Sequence, residues 1–304
     1  MKALIFYGSY IWVPFVLLCV LAVFKRQGGV RWLALFALIA SLPLAWARFV
    51  EPRLLFTAYS VLDLSDNAVE TVAVRVALFG DTHFGAFTHT VSMQRIVDRI
   101  QGEDVDLVFI AGDFMMDLPR EKVAGAFAAL SQLDMPIYGV MGNHDVGIPG
   151  PDYGMVLYTE LQKAGVTTVE NRAFEIEVKG VRIVVAGASE LWQGRQSFWF
   201  RADLPEDATV LLLTHNPDTA LNVPVDFEYD LMLAGHTRGG QIRLPIPALM
   251  RRVIPTEYPF DTGLHIMPDG RRVFVTPGTG MTGLPMRFMR PPRVDIINLK
   301  IAAK

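Results

Sequence analysis

The sequence predicts an α/β protein of two stacked sheets, carried behind an N-terminal helical hairpin. Three observations predict it. Short apolar runs of strand length each end in polar residues, helical periodicity separates the first of these runs, and two uninterrupted apolar stretches fill the first 50 residues.

The hairpin comes first. Residues 4–24 hold no charge, which is long enough for a membrane-crossing helix of about 20 residues. A second stretch, 32–50, is charged only at Arg48, where a long side chain reaches toward headgroups by snorkelling. The connection Lys25-Arg26-Gln27-Gly28-Gly29-Val30-Arg31 carries three cations. One lysine, Lys2, precedes the first stretch and no A-x-A-like cleavage site ends it, so the pair is expected to be retained as two transmembrane helices. The density of cations favours a cytoplasmic connection, with both termini and the remaining chain on the outer side.

Residues 51–71, with Pro52, Asp63, Ser65, Asp66 and Asn67, are expected to connect the hairpin to a domain over 72–304. In that domain, Val72–Phe79 leads to Gly80-Asp81-Thr82-His83, Asp106–Ala111 to Gly112-Asp113, and Pro136–Met141 to Gly142-Asn143-His144-Asp145. Thr209–Leu213 then leads to Thr214-His215-Asn216, and Tyr229–Ala234 to Gly235-His236-Thr237-Arg238. These runs are rich in Val, Ile, Leu and Phe, as strands buried on both faces require. Between them, Val91–Ile100 places Met93, Ile96, Val97 and Ile100 on one helical face. A stretch opened by Asp117 and Pro119 does the same with Val123, Phe127, Leu130 and Leu133. Later runs at 174–178, 181–187, 272–276 and 294–299 have fewer helices between them and form the second sheet.

Composition narrows the function. The single cysteine, Cys19, lies in the first apolar stretch and excludes both an internal disulfide framework and a cysteine zinc site. A net charge of −3 argues against a general nucleic-acid binder. No repeat or low-complexity segment appears, and the oligomeric state is left open.

Ligand sites of α/β sheets form outside the carboxyl ends of the strands. Four of the six histidines, His83, His144, His215 and His236, follow a strand directly, together with Asp81, Asp113 and Asn143. One such residue is ordinarily a turn former or a helix cap. Donors at five strand ends form a metal-binding set instead. Two divalent ions about 3.5–4 Å apart clamp a phosphoryl oxygen and activate a water as nucleophile. Asp113, beneath small Gly112, suits the carboxylate shared by both ions, and neutral imidazoles complete the shell without cancelling the cationic charge.

The blocks Asp81-x-His83, Gly112-Asp113, Gly142-Asn143-His144-Asp145, His215 and Gly235-His236-Thr237-Arg238-Gly239-Gly240-Gln241 resemble, in order and spacing, the five signatures of the calcineurin-like metallophosphoesterases. Gly278-Thr279-Gly280, Gly283-Leu284-Pro285 and Arg290-Pro291-Pro292 are similar to the ending of the bacterial membrane-associated branch. The resemblance implies a four-layer double β-sandwich flanked by helices, a phosphoesterase activity, metals drawn from Mn, Fe and Zn, and a bacterial inner-membrane protein, whose domain the cation distribution places on the periplasmic side. It assigns Asp81 and His83 to a first metal, Asn143, His215 and His236 to a second, and Asp113 to both. His144 is implied near the phosphate as general acid or hydrogen-bond donor, oriented by Asp145.

Arg238 departs from the family pattern, which has a histidine there as the last ligand of the first metal. A guanidinium offers no lone pair. Three outcomes stay open, the plainest being an Arg238 turned to solvent with water in the place of the missing ligand. Otherwise, either Arg238 binds the substrate phosphate and takes over part of the missing metal's charge, or the first site is weak or empty and the domain is a membrane-tethered phosphate-ligand binding module. The expected substrate is a phosphorylated small molecule or lipid headgroup, because the anchor places the domain at a membrane and the wider family includes enzymes that cleave the pyrophosphate of a lipid A precursor. Two segments are candidates for an acyl groove with cationic edges: 245–260 with Leu244, Ile246, Leu249, Met250, Arg251 and Arg252, and 281–290.

Overall fold

The computed structural model describes residues 2–66, 68–85, 91–243 and 256–303. The chain begins with helix α1 (Lys2–Gly8), a 3-10 turn (Ser9–Ile11), α2 (Trp12–Lys25) and α3 (Gly29–Ala45), followed by a π turn (Trp46–Val50) and a 3-10 turn (Glu51–Arg53). Leu4–Lys25 and Gly29–Arg53 are long and apolar enough to cross a membrane. Only 6% and 22% of their apolar windows are buried inside the protein, so they are not core helices of the domain. Arg48 differs from the snorkelling expected of it. It is buried against the rings of Phe6, Tyr10 and Phe49, 4.7, 5.2 and 4.9 Å from their centroids, and its Nε donates to Ser9 Oγ at 2.7 Å. Aromatic faces attract a guanidinium where water is scarce.

Strands β1 (Phe56–Asp63), β2 (Thr71–Phe79), β3 (Phe84–Gly85), helix α4 (Met93–Gln101), β4 (Leu107–Ile110), β5 (Met115–Met116), β6 (Ile137–Gly139), α5 (Gly154–Lys163) and β7 (Val166–Thr168) come next. They are followed by β8 (Arg172–Val178), β9 (Val181–Gly187), β10 (Thr209–Leu213), β11 (Leu231–Ala234), β12 (Gly263–Ile266), β13 (Arg272–Val275) and β14 (Arg293–Ala302). One six-stranded sheet has the order β1-β14-β2-β4-β6-β7 and the other β12-β13-β11-β10-β9-β8. In the first, β2, β4, β6 and β7 run parallel, and in the second β9, β10, β11 and β13 do.

Strand alternation builds the layers. Val74, Val76 and Leu78 of β2 face the core between the sheets with Ile183, Val185, Leu211 and Leu233, whereas Ala77 and Phe79 face α4. Ser92 caps α4 by accepting the Arg95 amide at 3.3 Å, and Met93, Ile96, Val97 and Ile100 form its buried stripe. A third cluster around Val184, Leu212, Phe198 and Phe227 covers the outer face of the second sheet, largely with 3-10 turns. The result is the α/β double sandwich.

Three sequence expectations change. The run 294–299 does not join the second sheet: as β14 it lies between β1 and β2 in the first, parallel to one and antiparallel to the other. The stretch after Pro119 is not a helix but two 3-10 turns, Arg120–Lys122 and Ala128–Gln132, because Gly125 between them sits at a φ of 73°. Its apolar residues Val123, Phe127 and Leu130 are buried all the same. Within 51–71, β1 is a sheet edge, paired parallel to β14 from Phe56↔Arg293 to Asp63↔Lys300. Its Phe56, Tyr59 and Val61 are exposed although they do not share one face, which erased the alternation that would have marked it.

Candidate metal centre

The carboxyl ends of β2, β4, β6, β10 and β11 meet where the sheets converge. Asp81, His83, Asp113, His236 and Arg238 all lie at positive φ (48°, 47°, 54°, 67° and 50°), a left-handed conformation uncommon for residues bearing a Cβ. Such strain persists where surrounding contacts over-determine it. Here the Asp81 amide donates to Gly112 O (2.8 Å), His83 to Asp113 O (2.9 Å), His144 to Asp113 Oδ1 (2.9 Å) and His236 to Asp81 Oδ2 (2.9 Å). Gly142 is required by proximity: a Cβ there would stand 2.2 Å from Asp113 Oδ1.

One donor set surrounds the residues assigned to the second metal. His215 Nδ1 donates to Ala111 O at 2.7 Å, which turns Nε2 inward, 3.1 Å from Asn143 Oδ1 and 3.4 Å from Asp113 Oδ2. His236 Nδ1 lies 3.1 Å from the same Nε2. Donors held about 2.0–2.1 Å from one ion stand roughly 3.0–3.4 Å from each other, so this set fits a divalent cation. Asp113 Oδ2, at the edge of this set, is buried with no hydrogen-bond partner among the described residues. A buried polar atom so left points to a missing ion or water. Against burial, which would lower it, Asp113 pushes the His215 imidazole up to about 10, while burial together with His215 and Arg238 holds His236 down to about 3. The carboxylates therefore attract positive charge, and His236 offers a neutral ring.

The first site is arranged differently. His83 Nε2 lies 3.6 Å from Asp81 Oδ1 and 3.5 Å from Asp113 Oδ2. Among these three atoms sits Arg238 Nη1, 3.1 Å from Asp81 Oδ1, 3.3 Å from His83 Nε2 and 3.7 Å from Asp113 Oδ2. The guanidinium thus stands at the focus of the first-site donors, buried, and supplies a cationic charge there. Arg238 also lines a cavity of about 210 Å³ with Thr237, Gly240, Gln241, Ile242, Thr282 and Leu284.

His144 is half-buried, with its ring edge-on to His83 at 5.1 Å between centroids and, with His83 and Asp113, in a group able to hold a cation. Burial, only partly offset by Asp113, brings its pKa down to about 4, which favours a neutral hydrogen-bond donor over a standing acid. Asp145 does not orient it. Its carboxylate accepts the amides of Phe114 (3.1 Å), Met115 (2.9 Å) and Gly142 (2.8 Å), tying the β4 and β6 ends together. Burial and the Asp113 charge push Asp145 up to about 7.

Sequence reasoning missed Glu190 and Trp192, which follow β9. The Glu190 carboxylate accepts the Trp192 and Gln193 amides at 2.6 and 3.1 Å, and the Trp192 ring stands edge-on to His236 at 4.9 Å. The signal was there: a polar side chain just beyond a strand end, like those at the five strand ends that were noticed. Of the two groove candidates, 244–255 lies outside the described residues. In the other, Arg287 is not a cationic edge. It is wholly buried and donates to the carbonyls of Gly280, Pro277 and Arg290.

Comparison with known proteins gives a consistent result. Residues 74–238 match the family model described as calcineurin-like phosphoesterase. The metallophosphoesterase YkuE of Bacillus subtilis is 29% identical over 280 residues, covering 88% of this chain and 93% of YkuE. The phosphodiesterase YaeI of Escherichia coli is 28% identical over 264 residues, covering 84% and 88%. A transmembrane protein with a metallophosphoesterase domain from Danio rerio is 28% identical over 244 residues, covering 75% of this chain and 54% of that protein.

Proposed function

The chain belongs to the calcineurin-like phosphoesterase family, and from that premise we propose that it hydrolyses a phosphodiester or related phosphoester at a membrane, using one firmly held divalent cation and Arg238 in place of a second. The observation that carries this reading is the position of Arg238 Nη1 within 3.1–3.7 Å of Asp81, His83 and Asp113. The cation, one of Mn, Fe or Zn, would be held by Asp113, Asn143, His215 and His236. When bound it supplies Lewis acidity and a water acidified for attack.

The chain's own residues supply the rest. Arg238, which also lines the 210 Å³ cavity, neutralises phosphate charge in this reading by hydrogen bonds whose acceptors are the phosphoryl oxygens. His144, neutral at physiological pH, donates a hydrogen bond to an oxygen on which charge builds in the transition state. Asp81 and His83 hold the guanidinium in place, so that Arg238 meets the substrate preorganised.

The two apolar helices are proposed to span a bacterial inner membrane as a hairpin, with Lys25, Arg26 and Arg31 cytoplasmic and residues 72–304 periplasmic. The name of the zebrafish relative supports a membrane setting, and that of YaeI supports a diester. A lipid-linked phosphoester is the substrate class that suits a tethered site. The buried arginine is also compatible with a second reading, a tethered module that binds phosphate compounds without cleaving them.

One experiment separates them. Full-length protein in detergent, loaded with Mn²⁺, is given an aryl phosphodiester and an aryl phosphomonoester. Metal-dependent turnover of the diester that His144→Ala abolishes supports the enzyme. Failure to turn over either ester, with tight binding of inorganic phosphate, establishes the binding module.

A further inference from the structure

The end of the second apolar helix is bonded to the catalytic site through a closed circuit of contacts. Glu51 is buried, and both its carboxylate oxygens are used: Oε2 accepts Trp46 Nε1 at 2.9 Å and Oε1 accepts the Arg290 amide at 2.6 Å. One turn earlier, Ala47 O accepts the Arg287 amide at 2.9 Å. Segment 287–290 is therefore docked on the helix end by two of its main-chain amides.

Two arms leave that segment for the site. The buried Arg287 guanidinium holds Pro277 O and Gly280 O, and the Gly280 and Thr279 amides donate to Asp81 O (2.7 Å) and Gly80 O (3.0 Å). The Arg290 guanidinium donates from Nε to Gly239 O at 3.1 Å and from Nη2 to Asp261 at 2.7 and 3.0 Å, bracing the turn that carries Arg238. That approach is close enough that a Cβ on Gly239 would stand 2.9 Å from Arg290 Cδ and Nε. The arms end on Asp81 and Arg238, which bond to each other at 3.1 Å.

We infer that Glu51 is a positioning residue for Arg238: the apolar hairpin is a structural part of the active site and not only a tether. A carboxylate buried at this junction is costly unless its bonds are kept, and its bonds run to the segment that orients the guanidinium. The inference rests on the reading that Arg238 receives the phosphate, and its test separates the two.

The full chain in detergent is compared with Glu51→Ala and the milder Glu51→Gln. Hydrogen exchange is expected to quicken at least tenfold at residues 238–242 in Glu51→Ala, while the remote β8–β9 hairpin keeps its rate. Unchanged exchange at 238–242, or a uniform rise across the chain, overturns the positioning role. Calorimetry with inorganic phosphate supplies the second readout. Affinity should fall about fivefold in Glu51→Ala, and the double variant with Arg238→Ala should bind no more weakly than Arg238→Ala alone. Additive losses overturn the inference. If the parent binds no phosphate while exchange at 238–242 responds locally, the phosphate role of Arg238 fails and the positioning role stands.

Discussion

Arg238 Nη1 donates to Asp81 Oδ1 at 3.1 Å, on a carboxylate whose other oxygen accepts the His236 amide at 2.9 Å. One side chain of the first site is thereby shared between a guanidinium and the main chain of the second. The pair is buried, where the loss of one partner leaves a charge uncompensated.

Arg238→His removes the competing cation and returns a donor to the focus of Asp81, His83 and Asp113. Metal content after dialysis, read by plasma mass spectrometry, is expected to rise from about one to about two ions per chain. A content that stays at one would show that Arg238 is not what keeps the second ion out.

Gly142→Ala should empty the centre without touching a ligand. The added Cβ would stand 2.2 Å from Asp113 Oδ1, so the shared carboxylate has to move. Competition with a chromogenic chelator is expected to show metal affinity lowered at least tenfold, the order of loss seen when the support of a ligand is removed. Parent-like affinity would mean that Asp113 is not a ligand.

His144→Ala is expected to lower kcat by roughly 10²–10³, the loss typical of one transition-state donor. Metal content should be unchanged if the proposed ligands Asp113, Asn143, His215 and His236 hold the cation. A matching loss of metal would move His144 into the ligand shell, an arrangement its grouping with His83 and Asp113 allows.

Asp295 governs a pH dependence away from the site. It is 1% exposed, paired with Arg293 at 2.8 Å, and burial raises its pKa to about 6. A folded-state value above the unfolded one means that the native state binds the extra proton between about pH 3.8 and 6, so this group lowers stability as pH rises through that window. Asp295→Asn should therefore stabilise the chain above pH 6, by roughly 1–3 kcal/mol, and have little effect near pH 4. Denaturant melts at the two pH values check it, and an equal effect at both would assign the change to packing.

Much of this molecule was legible in one dimension. Runs such as Thr209–Leu213 and Val181–Gly187 emerged with the expected bounds, because strands buried on both faces are written as continuous apolar residues. The stripe of Met93, Ile96, Val97 and Ile100 likewise marked its helix, since local periodicity decides which face an element buries. What was lost were signals that neighbours supply: β1, whose apolar residues Phe56, Tyr59 and Val61 are exposed, and the segment after Pro119, where Gly125 broke a helical pattern whose burial was nonetheless right.

The sequence by itself determined the α/β alternation and the placing of histidine, aspartate and asparagine at strand ends, because backbone propensity and donor chemistry are properties of short segments. It also determined that Arg238 cannot be a ligand, since no fold gives a guanidinium a lone pair. Only the tertiary structure decided what Arg238 does instead. Its partner Asp81 is 157 positions away, and the bracing Arg290 bonds Glu51 across 239. Such distances are settled by how two sheets and a helix end pack, which no local pattern records. For the same reason Asp145 was assigned to its neighbour His144, when the amides it satisfies include two that lie 30 and 31 residues back in the chain.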